Sequence, residues 1–419
     1  MASTNPSSLP LPTPPTEKVY TDHKTQKSSK KQIIIIGAGI IGVCTAFYLT
    51  RLPSYDPSKY HITIIESRHP ASGTTAKAAG LVVQWAFPRD IVPLSFRLHT
   101  ELSDEFDGPT NWDYRPLTAL SLEGGLPQLS EYDRYASSKT EKVLPEDLNW
   151  VRRDIIQNWY KLGSEDDSFL VNPYKLTHCL LDHILARDDV SLVLGHVVEI
   201  NKLAPLTGNE DKFIAESVTY IPTGYGSRSD PESRKIRKIL YGDKIIVTTG
   251  PWVGSLVNNC PVVGLQTRSM IVSQPEAPES KLSAYGLYTD FKIKHTHLIS
   301  PEFYSRKSDI YIFGESVRVH HIGIHDYCRQ VIPSSIMEQT KVLRTLDGHI
   351  PVINSAACEH LGPFIGCTNT TNLYLAAGHG CWGITNGPAT GLLLAEIVLE
   401  GNAKSADITD LDPKLYFST

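Results

Sequence analysis

The feature that most constrains this chain is a glycine turn between a buried strand and a helix. Residues 33–36 are all isoleucine, as a strand buried on both faces requires. Gly37, Gly39 and Gly42 follow it in the spacing GxGxxG. The first permits a tight turn, the second lets the backbone approach a pyrophosphate, and the third lets helix and strand pack closely. Because the turn has both its strand and its helix, the pattern predicts a dinucleotide site.

The second strand supports the same prediction. Residues 61–65 form a β-branched run that ends at Glu66, where a carboxylate accepts hydrogen bonds from a ribose diol. NAD and FAD share this fingerprint, so the next segment decides between them. Residues 71–81 are small and hydroxyl-bearing, which suits the long pyrophosphate and ribityl chain of FAD. The alternative is an ordinary flexible loop.

A second glycine-rich segment lies near the C-terminus. A strand at 372–377 runs into a glycine-rich stretch at 378–391, and a helix follows to Gly401. Pro388 fits a first helical turn, so we expect the helix to begin near it. Its N-terminus would then stabilise negative charge on a reduced flavin. The alternative is a helix start that only packs tightly against the sheet.

The sequence between the two glycine-rich segments predicts the fold class. A helix at 172–186, two short strands within 191–200 and a buried strand from 244 to Trp252 continue the first domain, with a polar surface excursion at 203–237. Short β runs dominate 262–319. We predict an α/β protein with a Rossmann-like FAD-binding domain and a mainly antiparallel β substrate domain. The predicted boundaries are a disordered tail at 1–32, an FAD-binding domain at 33–110, 170–260 and 345–405, and a substrate domain at 111–169 and 261–344.

These residues together resemble the D-amino-acid oxidase, glycine oxidase and sarcosine oxidase superfamily of FAD-dependent oxidoreductases. The resemblance spans about residues 32–401 and is strongest at the glycine turn with Glu66, at 71–81, at 247–252 and at 378–391. The segment from Pro301 to Tyr304 and the segment from Tyr311 to Glu315 are similar to a poorly characterised eukaryotic branch. The resemblance implies FAD, bound covalently or noncovalently, and oxidation of a C–N bond.

The motifs and the resemblance together select candidate site residues. Those expected to act in catalysis are His379 and Trp382. Those expected to bind FAD are Gly37, Gly39, Ile40, Ile41, Gly42, Glu66, Ser72, Thr74, Thr75, Ala79, Gly80, Leu81, Val198, Thr249, Gly250, Trp252, Gly380, Gly383 and Ile384. The alternatives are that Trp382 fills core and that His379 caps a helix.

The chain departs from the family in one stretch that bears on the substrate. Before the final strand the family usually carries an arginine that binds a substrate carboxylate, whereas residues 356–366 here contain none. Arg268 and Arg318 are alternative carboxylate partners, or simply surface charges. Cys358 lies where sarcosine oxidases carry the cysteine that attaches the flavin. Because its surroundings differ from the family stretch, we expect noncovalent FAD.

Charge and composition exclude several other classes. Lys and Arg total 40 against 45 Asp and Glu, and the net charge of −5 argues against a nucleic-acid partner. No run is apolar enough for a membrane span. The seven cysteines are not paired in spacing, and a cytoplasmic location is expected. His320, His321, His325 and Cys328 do not match a zinc spacing, so we expect a polar loop and no metal.

The sequence therefore predicts an FAD enzyme that oxidises the C–N bond of an amine or amino-acid-like small molecule. Hydride would pass to the flavin, and oxygen or another acceptor would take the electrons. Two alternatives stay open at this point. One is an FAD dehydrogenase, oxidase or monooxygenase of a secondary metabolite, and the other is a flavoprotein with a scaffold or trafficking role.

Overall fold

The computed structural model describes residues 30–126, 143–204, 212–223, 237–275, 282–293, 297–314, 324–360 and 362–419. The α-helices in these ranges are α1 (Ile40–Leu49), α2 (Val92–Glu105), α3 (Gly108–Asn111), α4 (Pro173–Leu185), α5 (Ile324–Val331), α6 (Ser334–Met337) and α7 (Gly383–Glu400). The strands are β1 (Lys31–Ile36), β2 (Tyr60–Glu66), β3 (Leu81–Val83), β4 (Arg115–Pro116), β5 (Thr118–Gly125), β6 (Ile156–Gly163), β7 (Ser168–Leu170), β8 (Val190–Leu203), β9 (Ile214–Pro222), β10 (Lys238–Tyr241), β11 (Lys244–Val247), β12 (Val262–Ser273), β13 (Tyr285–Ile293), β14 (His297–Ile299), β15 (Glu302–Ser305), β16 (Asp309–Gly314), β17 (Val342–Ile353), β18 (Phe364–Cys367) and β19 (Leu373–Ala377).

The first sheet has the order β10-β9-β8-β2-β1-β11-β19-β18. Its centre is parallel, with Ile33 of β1 opposite Ile62 of β2 and Ile34 opposite Ile245 of β11. The strands β9, β10 and β18 join it antiparallel. This is the Rossmann-like arrangement that the isoleucine run predicts, because a central parallel strand is covered on both faces.

Successive isoleucines of β1 face opposite sides of the sheet, so each side has its own core. Ile33 and Ile35 pack with α1, α4 and α7 in one hydrophobic cluster. Ile34 and Ile36 pack on the other side with Val253 and with the partly buried Phe417 near the C-terminus. Residues 33–36 are therefore buried because both faces of the sheet are covered, as the sequence predicts.

A second sheet has the order β17-β12-β16-β15-β13-β5-β6, and β14 pairs with β13. Its described pairs are antiparallel except β13 with β5, which are parallel. A small sheet of β3, β7 and β4 completes the β structure of the described residues. The α/β class with a mainly antiparallel second layer is confirmed.

Several element boundaries differ from those predicted. β1 begins at Lys31, inside the predicted tail, and the predicted boundary at 345 falls within β17. β17 pairs with β12 from Val262 to Val272, so it belongs to the second sheet. The segment predicted as two short strands at 191–200 is part of the single strand β8, and β9 lies inside the predicted surface excursion. The pairings of β12 with β17 and of β8 with β9 contain register shifts. These shifts interrupt the alternating sequence pattern, so the strands are longer than the pattern indicates.

The parallel strands of the first sheet end along one edge. Ile36, Glu66, Val247 and Ala377 are the last residues of β1, β2, β11 and β19. Ligands of open α/β sheets bind outside the carboxyl ends of their strands. Both predicted glycine-rich segments begin at this edge, which therefore positions the candidate site. Among the helices that the structure describes, none is both long and apolar enough to cross a bilayer.

Candidate active site

The glycine turn after β1 is shaped by close backbone approach. Gly37 has φ +107°, and a Cβ added there would lie 2.8 Å from the Thr248 carbonyl oxygen. A Cβ on Gly42 would lie 2.0 Å from the Gly37 oxygen, so α1 packs directly against the turn. Gly39 is the N-cap of α1 and has no side chain to cover the helix N-terminus. The three glycines thus have the geometry that the spacing predicts.

Glu66 is held at the edge of the sheet by backbone donors. Its Oε2 accepts a hydrogen bond from the Ala38 N–H at 3.0 Å, and its Oε1 accepts one from the Arg68 N–H at 3.0 Å. Each carboxylate oxygen can accept more than one hydrogen bond, so both keep capacity for ribose hydroxyls. The carboxylate is therefore oriented before any ligand binds.

These elements border one cavity of about 970 Å³ that extends to the second sheet. The candidate residues that line it are Gly37, Gly39, Ile40, Ile41, Glu66, Ser72, Thr74, Thr75, Ala79, Gly80, Leu81, Thr249, Gly250, Trp252, His379, Gly380, Trp382, Gly383 and Ile384. Gly42 is not among the lining residues, since its role is to pack α1 on the turn.

Besides Gly42, Val198 is the candidate FAD-binding residue that does not line the cavity, and its contact with FAD stays a prediction. Gly195, His196 and Val197 of β8 line the cavity, and Val198 does not. The register between β8 and β9 shifts between Val197 and Glu199, so the strand is irregular at Val198 itself. An alternating pattern cannot reveal such a shift.

The small-residue segment after Glu66 bridges the two sheets. The Thr75 hydroxyl accepts a hydrogen bond from the Ile40 N–H at 3.1 Å, and the Thr74 hydroxyl donates one to the His349 carbonyl at 2.6 Å. Lys77 Nζ donates to the Asp347 carbonyl at 2.7 Å. His349 and Asp347 lie on β17, so this segment ties the glycine turn to the second sheet.

The glycine-rich segment after β19 places a helix start at the cavity. Gly380 has φ +56°, with nothing within 4 Å of an added Cβ. α7 begins at Gly383 and contains Pro388, so the prediction that it starts near Pro388 is wrong. Pro388 lacks the N–H that would bond Ile384, and the Ile384 carbonyl instead accepts a hydrogen bond from His99 Nε2 at 2.9 Å. That partner on α2 permits the earlier start.

The two residues predicted to act in catalysis differ in their surroundings. His379 is only 5% exposed, and its Nε2 lies 3.1 Å from the Thr390 hydroxyl of α7. Burial lowers the pKa of His379 to about 3, so the ring is neutral at physiological pH and a poor proton acceptor. Trp382 is half-buried and packs edge-on against Trp85, with 5.8 Å between ring centroids. Trp382 thus combines the two roles, core packing and cavity lining, between which the sequence left the choice open.

Apart from Trp382, the residues of the far wall of the cavity were not selected as site residues from the sequence. We call it the aromatic wall, and its members are Tyr288, Tyr304, Tyr311, Phe313 and Trp382. Glu302 lies among them. One sequence signal could have indicated this wall. Glu302 and Tyr304 are two residues apart on β15, so the two-residue period of a strand places them on the same face.

Glu302 and two tyrosines form a hydrogen-bonded group. The Tyr304 hydroxyl donates to Glu302 Oε2 at 2.5 Å. Burial, together with the negative charge of Glu302, raises the pKa of Tyr288 and of Tyr304 well above their usual range. Both phenols are therefore neutral, and Glu302 supplies the carboxylate of this wall.

Two cysteines, Cys358 and Cys381, differ in whether they line the cavity. Cys358 packs at the margin of a hydrophobic cluster and is not among the residues that line the cavity. Cys381 lines it and is exposed toward it. Burial and the Glu302 charge raise the pKa of Cys381 to about 11, so it is a thiol at neutral pH.

The residues considered as partners of a substrate carboxylate or as metal ligands are not among the described residues that line the cavity. Arg268 pairs with Asp347 at 2.8 Å and does not line the cavity. Arg318, His320 and His321 lie outside the described residues. His325 and Cys328 lie on α5, and Cys328 is fully buried, so the prediction of a polar loop is wrong for these two residues. Within the ranges given above, no group of three or more His, Cys, Asp or Glu residues is placed to hold a metal ion.

Unpaired polar groups in the cavity fit an FAD molecule. The hydroxyls of Thr223 and Thr249 are buried and have no hydrogen-bond partner among the described residues. Both residues line the cavity, as does the side chain of Trp252, which is 53% exposed. A parallel sheet with this glycine turn, an oriented carboxylate and a second glycine-rich helix start defines a flavin dinucleotide-binding protein.

Comparison with known proteins gives the family. The model of the FAD dependent oxidoreductase (DAO) family matches residues 32–397, and the chain belongs to this family. It is 32% identical to TDA3 of Saccharomyces cerevisiae, over 93% of this chain and 95% of that protein. FAD is its cofactor, and it is an oxidoreductase.

Two solved structures share the fold at low sequence identity. Glycine oxidase from Geobacillus kaustophilus superposes with a TM-score of 0.62 at 17% identity, covering 93% of this chain and 100% of that one. Iminodiacetate oxidase from Chelativorans sp. BNC1 gives 0.59 at 19% identity, covering 91% and 99%.

Proposed function

We propose that this oxidoreductase oxidises a C–N bond of a small amine or amino-acid-like molecule. The observation that carries the proposal is the continuity of the cavity, which runs from Gly37 and Glu66 to Glu302 and Trp382. One space can therefore hold FAD and a small molecule side by side. Two proteins that share this fold support this reaction class by their names, a glycine oxidase and an iminodiacetate oxidase.

The proposed reaction removes a hydride from the carbon beside nitrogen and a proton from the nitrogen. The resulting imine takes up water and splits into a carbonyl compound and ammonia, or an amine where the nitrogen carries a second carbon. When bound, FAD supplies the hydride acceptor and passes the two electrons to oxygen, which becomes hydrogen peroxide, or to another acceptor. The amine must lose its proton before the hydride leaves, so turnover rises with pH through the pKa of the bound amine.

The protein contributes position and electrostatics. The N-terminus of α7 at Gly383 borders the cavity, and its positive end favours negative charge on the reduced cofactor. The aromatic wall excludes water, and Glu302 is placed to hold the proton of the amine. His379 keeps the helix start in place through Thr390 and, because its pKa is low, takes up no proton in this scheme.

The proposal is tested by anaerobic mixing of the FAD-loaded protein with a panel of amines and amino acids. We expect at least one compound to bleach the visible absorbance of the flavin and to release a carbonyl product. If dithionite bleaches it and no compound of the panel does, C–N oxidation is not the function. Peroxide formed in air then tests oxygen as the acceptor, which stays a prediction, as does the cytoplasmic location.

A further inference from the structure

We propose that the ammonium group of Lys77 lies beside the isoalloxazine ring of bound FAD and stabilises the ring when it is negatively charged. Lys77 is not among the site residues selected from the sequence. The inference rests on FAD as the cofactor and does not depend on which substrate the enzyme oxidises.

The first support is that the ammonium group has hydrogen-bond donors to spare. Lys77 is half-buried and lines the cavity. An ammonium group has three N–H donors, and one of them bonds the Asp347 backbone carbonyl at 2.7 Å. No other hydrogen bond joins Nζ to the part of the chain that the structure describes. The remaining donors are therefore available to a group inside the cavity.

The second support is the charge around Lys77. The carboxylate of Asp347 pairs with Arg268 at 2.8 Å. The Arg268 guanidinium, and to a smaller extent Lys77 and His349, lower the pKa of Asp347, so this carboxylate is ionised at neutral pH. Lys77 and Arg268 thus bring two positive charges to one negative charge. The surplus positive charge lies at the cavity, because Lys77 lines it and Arg268 does not.

The third support is the position of Lys77 between two helix starts. The Thr75 hydroxyl accepts the N–H of Ile40 at the start of α1. The Leu81 carbonyl accepts a hydrogen bond at 2.9 Å from the hydroxyl of Thr385, near the start of α7. The segment that contains Lys77 thus runs from the helix start expected at the pyrophosphate to the helix start expected at the flavin.

The aromatic wall assigns Lys77 to the flavin end of this segment. The Tyr311 hydroxyl donates to the Lys77 carbonyl at 2.6 Å, and Tyr311 belongs to that wall. The Lys77 stem packs on β17, since a Cβ added to Gly348 would lie 3.7 Å from Lys77 Cδ. Because the glycine turn and Glu66 hold the nucleotide half of FAD, the opposite end of the cavity is left for the ring.

The other cation that lines the cavity lies at the nucleotide end. Lys77 and Arg68 are the lysine and the arginine among the described lining residues. Arg68 is held next to Glu66, whose carboxylate accepts its backbone N–H. Lys77 is therefore the candidate partner for negative charge on the ring.

A cation in this position changes the energy of the cofactor in one direction. The reduced ring carries negative charge over N1 and the C2 carbonyl, and a nearby ammonium group lowers the energy of that state. Lys77 should therefore raise the midpoint potential of the flavin. It should also tighten the binding of sulfite, which adds to the oxidised ring through its own electron pair and leaves the ring anionic.

The proposal is tested by comparing the FAD-loaded wild type with Lys77→Met, which keeps a long side chain and removes the charge. At saturating FAD, titration of the visible spectrum should show sulfite binding weakened at least about tenfold. The midpoint potential should fall by at least about 30 mV, the equivalent of that factor for a two-electron couple. Lys77→Arg keeps the charge and should stay closer to the wild type in both measurements.

Lys161→Met is the matched control, because Lys161 is exposed on β6 outside the cavity and the change removes the same charge. It should bind sulfite as the wild type does. Unchanged sulfite affinity and potential in Lys77→Met, or an equal loss in Lys161→Met, overturn the proposal. If Lys77→Met does not fold with FAD, Lys77→Gln takes its place, since glutamine still has an N–H for the Asp347 carbonyl.

Two further outcomes separate this inference from its neighbours. Weaker FAD binding in Lys77→Met, with wild-type sulfite affinity at saturating FAD, would mean that the ammonium group acts on the phosphates and would overturn its assignment to the ring. Neither measurement uses a substrate. A loss of sulfite affinity in Lys77→Met, with no bleaching of the wild type by any amine, would leave this inference standing and overturn the proposed function.

Discussion

Thr248 closes the glycine turn from the neighbouring strand. Its hydroxyl donates to the Ile36 carbonyl at 2.9 Å, and a Cβ on Gly42 would lie 2.6 Å from that hydroxyl. A Cβ on Gly37 would meet the Thr248 carbonyl oxygen at 2.8 Å. Substitution at Gly37 or Gly42 would therefore disturb the fold as well as the site. Gly39 is different, because its added Cβ meets the Thr75 hydroxyl at 3.2 Å and no backbone.

Gly39→Val tests the cofactor end without breaking the turn. Gly39 has φ −78° and ψ 179°, which valine adopts readily, but the branched side chain would occupy the space that the pyrophosphate backbone approaches. We expect a folded, colourless protein, measured by circular dichroism and by FAD per chain. The control Gly125→Ala has room for a Cβ, with its nearest contact at 3.9 Å, and should stay yellow. A full complement of FAD in Gly39→Val would contradict the account.

Acid precipitation tests whether the flavin is covalently attached. Cys358 does not line the cavity, and Cys381, which does, is held as a thiol by its raised pKa. Because the thiolate is the reactive form, we expect neither to attach the cofactor. Acid should release the FAD into the supernatant. Colour that stays with the precipitate in the wild type and is lost from it in Cys358→Ser or in Cys381→Ser would show this expectation wrong.

At the scale of elements, α7 depends on α2 to begin where it does. Pro388 leaves the Ile384 carbonyl without its helical donor, and His99 supplies one. The Ala389 N–H donates to the Ser95 hydroxyl at 3.0 Å, a second contact between α7 and α2 next to the proline. The two α2 side chains thus allow a proline inside the helix, and the helix start extends five residues toward the cavity from Pro388 to Gly383.

Gly383→Leu tests whether this helix start acts on the flavin. The helix N-terminus should stabilise negative charge on the cofactor, so sulfite, which adds to flavin and makes it anionic, should bind the wild type. A leucine at the helix start should weaken sulfite binding or expel FAD, as measured by titration of the visible spectrum. Gly383→Ala is the control, since its Cβ would make an ordinary 3.6 Å contact with His379. Unchanged sulfite affinity in Gly383→Leu with intact FAD would remove this helix start from the site.

At the scale of the whole molecule, two buried histidines make stability depend on pH. Burial lowers the pKa of His99 to about 4 and that of His379 to about 3, against 6.5 when exposed. Below about pH 6.5 the unfolded chain therefore binds more protons than the folded one. Stability falls as the pH drops from 6.5 toward 4, by up to about 1.4 kcal/mol per pH unit for each ring.

The variant His99→Gln measures how much of this pH dependence of stability comes from His99. Glutamine can still donate to the Ile384 carbonyl but does not titrate, so the decline in urea midpoint between about pH 6.5 and 5 should be shallower than in the wild type. Both proteins are compared with saturating FAD. An equal decline in the two proteins would mean that His99 does not carry this pH dependence.

Much of the nucleotide end could be predicted from the sequence, because its signals are local. The run at 33–36, the three glycines and Glu66 follow one another within one βαβ unit, and each lies where the pattern indicates. Val198 lies outside the cavity lining, at a residue where the pairing of β8 with β9 is irregular, so its contact with FAD stays a prediction. The start of α7 was predicted too late because the partner that accommodates Pro388 is His99, distant in sequence.

The substrate end was harder to predict for the same reason. Tyr288, Glu302 and Trp382 come from three separate elements, and only the packing of the second sheet against α7 brings them to one wall. Glu302 and Tyr304 carry a local signal, the two-residue period of β15. The two-residue period shows that these side chains share a face of β15. It does not show that this face borders the cavity, which depends on how the second sheet packs.

The central claim is that one cavity holds FAD and an oxidisable amine together. Its most direct test is an anaerobic single-turnover titration of the FAD-loaded protein with the best amine of the panel. We expect one equivalent of amine to bleach one equivalent of flavin and to yield one equivalent of carbonyl product. Flavin that dithionite reduces but that stays oxidised with every amine and amino acid would contradict the claim.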